Sequence, residues 1–298
     1  MTYLALTEEL KNKLISNFKL PVDQLVKSGV IQDPNLNGIN SSESVQIKND
    51  HRNKIIQQGR ADFDVDSDGL TAIQKVDLYG YYYFQMHFTS SYVFFLSETD
   101  FLKNVITNKH ICFIDVGCGP FTSGLAFNSI LSKPENMVYK SATYIGIDTS
   151  NKMLEKGQNV FKSISIPNFQ QAIFNTDMKS ITDGLHLMIN QQEEIIFFLN
   201  YSYLFASHSL VVEEFVSFTN TILTQFCNTA RCKLIVLQQN PKTDNLNIKW
   251  NDYANRLPAL NRKDNFPKLL GFQFDDVLNS TKYQKPNMRV MCDILKSF

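Results

Sequence analysis

No apolar run in these 298 residues approaches the roughly 20 that a membrane span requires. No basic, apolar and small-residue leader opens the sequence either, so the expected setting is the cytoplasm, with no membrane partner. Five cysteines, an odd number with no C-x-x-C pair, argue against a disulfide framework in a chain this large and for a reduced compartment. Lysine plus arginine equals aspartate plus glutamate at 29 each, which removes any whole-chain electrostatic case for a polyanion partner. There is no H-E-x-x-H, no G-x-S-x-G and no phosphate-cradling G-K-[ST]. Zinc hydrolysis, the serine elbow and P-loop chemistry drop out with them, and no metal is expected. Repeats and low-complexity tracts are missing too, which excludes a solenoid.

What is there is an ordinary hydrophobic fraction, 43%, and one stretch that organises the chain, Ile111 to Phe127. Ile111–Val116 is too short for a helix and reads as a buried strand. It breaks at Gly117-Cys118-Gly119-Pro120 and resumes with the helical spacing of Leu125, Phe127 and Ile130. Strand, glycine turn and helix is the arrangement in which backbone N–H groups face a ligand. Neither glycine carries a Cβ, so the backbone can approach that ligand closely. The third glycine of the dinucleotide fingerprint is absent, Pro120-Phe121 following the second, which sets the nicotinamide-binding pattern aside. The acid at the strand's end recurs. Asp115, Asp148 after Ala142–Ile147, and Asp177 after Gln171–Phe174 stand 33 and 29 residues apart, each interval the length of one βα unit. An acid ending the second strand suits a pair of ribose hydroxyls.

On these residues, from about Phe113 to Leu237, the chain resembles the class I S-adenosylmethionine-dependent methyltransferases. The resemblance implies a Rossmann-like α/β fold, a seven-stranded, mainly parallel sheet with helices on both faces. It also implies S-adenosylmethionine as cofactor. Asp115, Gly117, Cys118 and Gly119 would line the amino-acid end of that molecule. Asp148, with Thr149 and Met153 beside it, would take the ribose; Asp177 and Met178 would take the adenine. Asn200, ending Glu194–Leu199, would lie where the fourth strand meets cofactor and acceptor, with Tyr201 and Tyr203 on the acceptor side. Lys233–Leu237 continues as a fifth strand, and Leu269–Phe274 with Met288–Leu295 as a closing antiparallel pair.

The first 108 residues read as a helical extension before a methyltransferase domain at 109–298. Thr7 caps an amphipathic helix through Leu10, Leu14 and Phe18; Pro21 ends it or starts the next, and a further short helix spans Val22–Val30. The Asn- and Ser-rich segment between Asp33 and Asp50 reads as a surface loop, and His51–Gly59 as a helix. Asp64-Val-Asp66-Ser-Asp68-Gly69 imitates a calcium loop, but its twelfth position is Lys75 instead of glutamate. An acidic loop capping the next helix is the expectation. That helix is crowded with rings, Asp77 to Phe88. Its spacing puts Tyr79, Tyr83 and Met86 or His87 on one face. Most of them are expected to pack on the sheet. Tyr83 and His87 are the candidates for roofing a pocket and assisting the chemistry, His87 as a base because imidazole titrates near neutrality. Thr99-Asp100 is expected to cap a helix running to Ile106.

The function expected is methyl transfer to a small molecule or peptide. Asn200-Tyr201-Ser202-Tyr203 keeps the asparagine and aromatic of the turn that holds a target amine, without its prolines. Two alternatives stand beside it. Residues Arg231 to Phe298 hold twelve Lys/Arg against six Asp, so an RNA- or ribosome-associated methyltransferase could turn that segment towards RNA. A non-catalytic protein could keep the cofactor pocket alone.

Overall fold

The aspartate-ended runs are neighbouring strands of one sheet. The computed structural model describes residues 2–36, 38, 41–133, 137–163, 168–188, 193–207, 209–228, 231–278 and 287–298. The chain starts with a three-residue strand, β1 (Thr2–Leu4), and helices α1 (Glu8–Leu14), α2 (Leu20–Lys27) and α3 (Ser42–Asp50). A long helix, α4 (Ala72–Ser97), and α5 (Thr99–Ile106) lead into the alternation. This runs β2 (His110–Val116), α6 (Thr122–Leu131), β3 (Ser141–Ile147), α7 (Asn151–Ser163), β4 (Gln171–Asn175) and α8 (Met178–Met188). It continues with β5 (Ile195–Ser202), α9 (Val212–Gln225) and β6 (Cys232–Pro241). The elements α10 (Ile248–Asn255), β7 (Asn261–Arg262), β8 (Lys268–Phe274) and β9 (Asn287–Lys296) follow.

The strand order is β1-β8-β9-β6-β5-β2-β3-β4, with β7 paired to β9. From β4 to β6 every pairing is parallel, while β9 runs antiparallel to β6, β7 and β8. The chain moves outward from β2 through β3 to β4, then returns to start again at β5. That reversal between β2 and β5 is where open α/β sheets form a ligand crevice, outside the carboxyl ends of the strands. This is an open, mainly parallel Rossmann-like α/β sheet that ends in an antiparallel pair, β8 and β9. The strand count is nine among the described residues, where seven were expected. One addition is β1, which pairs with the edge of β8 and satisfies backbone groups that would otherwise face solvent. The other is β7, whose two residues are too few to show an alternating pattern.

Residue parity sorts the sheet's two faces. Ile111, Phe113, Tyr144, Ile196, Phe198, Ile235 and Leu237 pack in one apolar cluster with α4, α6 and α7. Ile114, Ile145, Phe197, Leu199, Tyr201, Leu234 and Val236 pack in the other with α9 and α10. Both faces are covered, which is why these strands read as unbroken apolar runs.

The N-terminal segment joins the first cluster. Phe18, Leu25, Phe63, Val76 and Phe84 share it with Phe113 and Tyr144. Thr7 caps α1, its hydroxyl accepting from the Leu10 N–H at 3.3 Å, and Pro21 falls in the first turn of α2. The surface loop expected between Asp33 and Asp50 is corrected in part. Residues 37, 39 and 40 lie outside the described residues, but 42–50 is helical. The Ser41 hydroxyl accepts from the Ser44 N–H at 3.0 Å, and Ile47 buries beneath. His51–Gly59 is not one helix: it breaks into a π-helical turn at His51–Ile55 and a 3-10 turn at Gln57–Gly59. Glu98, not Thr99, takes the cap position of α5; the Thr99 hydroxyl donates back to the Leu96 carbonyl at 2.7 Å.

The acidic loop does cap α4. Asp66 accepts from the Ala72 N–H at 2.7 Å, and Thr71 and Gln74 form a reciprocal capping box. The Lys75 ammonium fills the loop's interior, bonded to the Asp62 carbonyl at 2.5 Å and the Ser67 hydroxyl at 3.2 Å. A lysine therefore stands in the part a cation would play. Further along, Lys156 of α7 reaches Asp77 at 2.7 Å and the Asn17 carbonyl at 2.6 Å, both partners in the N-terminal segment. Replacing one member of so buried a pair strands the other: Lys156→Met should destabilise the fold by about 3–5 kcal/mol. A urea midpoint unchanged from wild type would remove this tie.

Candidate functional site

The turn after β2 is held in place by the end of β3. Gly117 and Cys118 both donate their N–H groups to the Ile147 carbonyl, at 2.8 and 3.0 Å. Gly117 and Gly119 have φ of +71° and +51°, the left-handed region that glycine enters without a Cβ penalty. Phe121 shares that conformation at φ +74° and is fully buried, its ring packed against Tyr144, Phe161 and Phe174. A buried ring thus holds a non-glycine residue in the left-handed region.

Two carboxylates meet at this turn. Asp148 accepts from the Gly119 N–H at 2.9 Å and the Ser150 N–H at 3.0 Å, so it binds the turn after β2 to the turn after β3. Its pKa is raised, chiefly by burial. Asp115 is 1% exposed and accepts from the Asn200 side-chain amide at 2.7 Å and the Tyr144 hydroxyl at 3.2 Å. Burial pushes its carboxyl up to about 7, against the pull of those bonds. A buried carboxylate whose side-chain partners are an amide and a phenol gains from any cation brought to it.

From Asn200 a polar network continues on the same face. The Asn200 amide donates to the Ser202 hydroxyl at 3.0 Å, and Ser202 accepts from Ser123 at 2.9 Å and from the Gln239 amide at 3.0 Å. Ser91 of α4 joins Ser123 at 3.0 Å and also receives Gln239. Asp115, Asn200, Ser202 and Gln239 share one face by strand parity.

The rings of α4 stand beside this group. His87 stacks on Tyr203 at 4.2 Å between ring centroids and on Tyr83 at 5.8 Å. Tyr203 follows β5 in a left-handed conformation, φ +61°, and its hydroxyl donates to Ser90 at 2.8 Å. Tyr79 packs on Tyr83 at 5.3 Å and is close enough to Asp148 for that charge to add to its raised pKa, after the larger effect of burial. Arg52 covers the far side of Tyr83, its Nε donating to the hydroxyl at 3.3 Å. Burial lowers the His87 pKa to about 4, so the imidazole is neutral at pH 7. Between its ordinary 6.5 and about 4, the unfolded chain takes up a proton here that the folded chain refuses. Stability therefore falls as pH drops through that window. His51, also lowered by burial, acts with the same sign and stays in the variant. His87→Gln should lose less stability than wild type between pH 7 and pH 5; equal losses would place no such histidine at this position.

The predicted residues divide. Asp115, Gly117, Gly119, Asp148 and Asn200 come together, with Cys118 buried between the glycines and Met153 buried at the start of α7. Tyr83, His87 and Tyr203 form one stack. Thr149 is exposed, and Asp177 is exposed and caps α8 by accepting from the Lys179 N–H at 2.9 Å. Met178 packs against the second cluster. Tyr201 is a correction. It points to the opposite face, fully buried among Phe205, Phe215 and Tyr253, with its hydroxyl 3.3 Å from that of Thr219, and touches none of the site. The parity that puts Asn200 and Ser202 on the site's face sends Tyr201 away from it. Sequence reasoning missed Ser91, Ser123, Gln239 and Asp64. Parity alone could have found Gln239, two positions on from Leu237.

No family model matches the chain, and no curated protein does. Among solved structures, it is similar to the human methyltransferase 10 domain containing protein, at 9% identity and a TM-score of 0.39, over 70% of this chain and 82% of that one. It is similar to the magnesium protoporphyrin IX methyltransferase ChlM of Synechocystis PCC 6803 with bound SAH, at 13% identity and a TM-score of 0.34, over 85% of this chain and 100% of that one. A third is TYW2 of P. horikoshii in complex with MeSAdo, at 10% identity and a TM-score of 0.34. There the alignment covers 67% of this chain and spans 61% of that protein's length. Among the described residues no helix is long and apolar enough to cross a membrane.

Proposed function

We propose that this chain is an S-adenosylmethionine-dependent methyltransferase acting on a small-molecule or peptide acceptor. The observation that carries the reading is the meeting of Asp115, the left-handed Gly117–Gly119 turn and Asp148 at the point where the sheet order reverses. The residues fit the cofactor. Asp148 keeps acceptor capacity for the ribose hydroxyls beyond its two backbone donors. Asp115, with its raised pKa, suits the ammonium of the amino-acid end, and Asp177 with Met178 would take the adenine. When bound, the cofactor supplies an electrophilic methyl group. The chain's own part is to align the acceptor and to receive its proton where one must leave. The stack of Tyr83, His87 and Tyr203 would wall the acceptor side, and His87, its pKa lowered to about 4, would serve there as a neutral hydrogen-bond partner rather than as a base.

Charge favours this acceptor class over RNA. Of the C-terminal cations, Arg256 pairs with Glu213, Arg262 with Asp293, and Lys263 and Lys268 with Glu98. Glu213 and Glu98, which lie outside that segment, offset part of its surplus.

Transfer of label from S-adenosylmethionine into small-molecule and peptide pools of a cell extract tests the proposal. Tyr83→Phe and His87→Gln should lower transfer at a melting temperature close to that of wild type. Label appearing only in RNA would replace the acceptor class, and S-adenosylhomocysteine binding without transfer to any pool would leave a binding protein. If the rings serve packing alone, the same changes cost about 1–3 kcal/mol of stability and spare transfer per folded molecule.

A further inference from the structure

The acidic loop holds a residue that its capping role does not use. Asp66 caps α4 and Lys75 fills the loop's interior, but Asp64 reaches out of the loop to the turn after β3, 86 residues away. Its Oδ1 accepts from the Ser150 hydroxyl at 2.8 Å and the Lys152 N–H at 2.9 Å. Its Oδ2 accepts from the Asn151 N–H at 2.9 Å and the Asn151 side-chain amide at 3.2 Å. One carboxylate thus caps the first turn of α7, just after the loop turn that begins at Asp148. Ser150 joins the two acids: its N–H goes to Asp148 and its hydroxyl to Asp64, while that hydroxyl accepts from the Met153 N–H at 3.1 Å.

A local cap is therefore already present in Ser150, and α7 does not need a second from a distant loop. The second cap also has an electrostatic cost, since the charge of Asp64 adds to the raised pKa of Asp148. An acid kept next to another acid, at a helix start already capped, calls for a reason other than helix stability.

We propose that Asp64 is a positioning residue for the cofactor, holding the Asp148–Ser150 turn so that the Asp148 carboxylate is presented to the ribose hydroxyls. This rests on the reading of Asp148 as the ribose acceptor. The four bonds to Asp64 keep it ionised, its pKa lowered against the effect of burial. Linkage is reciprocal: a cofactor that gains from the fixed turn must in return steady the Asp64 loop.

Calorimetry with S-adenosylhomocysteine on the full chain, together with hydrogen exchange of residues 62–70 and 149–153, tests the proposal. Asp64→Asn should weaken binding about tenfold, which is about 1.4 kcal/mol. Asp66→Asn, which damages the same loop on the α4 side, should stay within about twofold of wild type. The ligand should slow exchange of residues 62–70 in wild type and not in Asp64→Asn. The acid limb of the affinity profile supplies a readout that a purely structural role would not move. Asp115, Cys118 and Tyr79 also face Asp148 and are unchanged in the variant. Losing the Asp64 charge should then move the limb to lower pH even as affinity at pH 7 falls. If Asp64→Asn does not fold, Ser150→Ala removes one donor to Asp64 and should weaken binding by about three- to fivefold. Affinity within about twofold of wild type in folded Asp64→Asn, or an equal loss in Asp66→Asn, overturns the proposal while leaving the cofactor reading intact. No binding by the wild-type chain overturns the cofactor reading and this one with it.

Discussion

Asp148→Ala should bind S-adenosylhomocysteine about ten- to a hundredfold more weakly than wild type. A hydrogen bond to a charged acceptor is worth roughly 1.5–3 kcal/mol, and each 1.4 kcal/mol is a factor of ten. The variant also leaves the Gly119 and Ser150 N–H groups without the carboxylate that now draws them together. Part of the loss therefore comes through the glycine turn. Asp148→Asn separates the two contributions, because an amide oxygen can still accept one N–H but lacks the charge; its loss should be smaller. The raised pKa of Asp148 adds a pH dependence. Affinity should fall on the acid side at a higher pH than a solvent-exposed aspartate would give. Unchanged affinity in Asp148→Ala, measured by calorimetry, would remove this residue from the site.

Gly80→Ala should lower stability although it adds only one methyl group. In an exposed helix interior that change stabilises, by about 1 kcal/mol, because glycine is the poorer helix former. Here an alanine Cβ would stand 2.1 Å from Cδ1 and 2.3 Å from Cε1 of Phe18. The ring has little room to move. Phe84 packs on it with centroids 4.5 Å apart, and the Lys156 ammonium sits 5.0 Å from its centroid. Overpacking a filled core costs about 1–3 kcal/mol or more, which outweighs the helix gain. The denaturant midpoint should drop, and Phe18→Leu combined with Gly80→Ala should lose less than the two changes summed. A neutral or stabilising Gly80→Ala would show that the ring gives way freely.

The features legible in the sequence are those set by local chemistry. Short apolar runs ending in Asp115, Asp148 and Asp177 announce parallel strands, and Gly117 and Gly119 announce the turn between β2 and α6. The closing pair showed because β8 and β9 carry enough apolar residues, Leu269–Phe274 and Met288–Leu295, to read as strands. Strand β1 did not, since three residues at a sheet edge have no pattern of their own and form through pairing with Phe272–Phe274. Helix α3 was hidden by its asparagines and serines; its stability comes from the Ser41 cap and the burial of Ile47. In the site, Tyr201 was misjudged for want of counting parity along β5. Asp64 could not be read at all, because its partners stand 86 to 88 residues away and no local pattern signals a bond across that distance.

The burial of α4 bears on how a ligand would come and go. Val76, Leu78, Tyr81, Phe84, Phe88, Val93, Phe94 and Phe95 are all buried, and the helix packs along α6 and against α7 and β8. A helix embedded on so many sides cannot swing open without exposing the core. Its partly exposed edge carries Tyr79, Met86 and His87, of which Tyr79 and His87 are held in ring contacts with Tyr83. A site walled by α4 would therefore not open by a hinge of that helix.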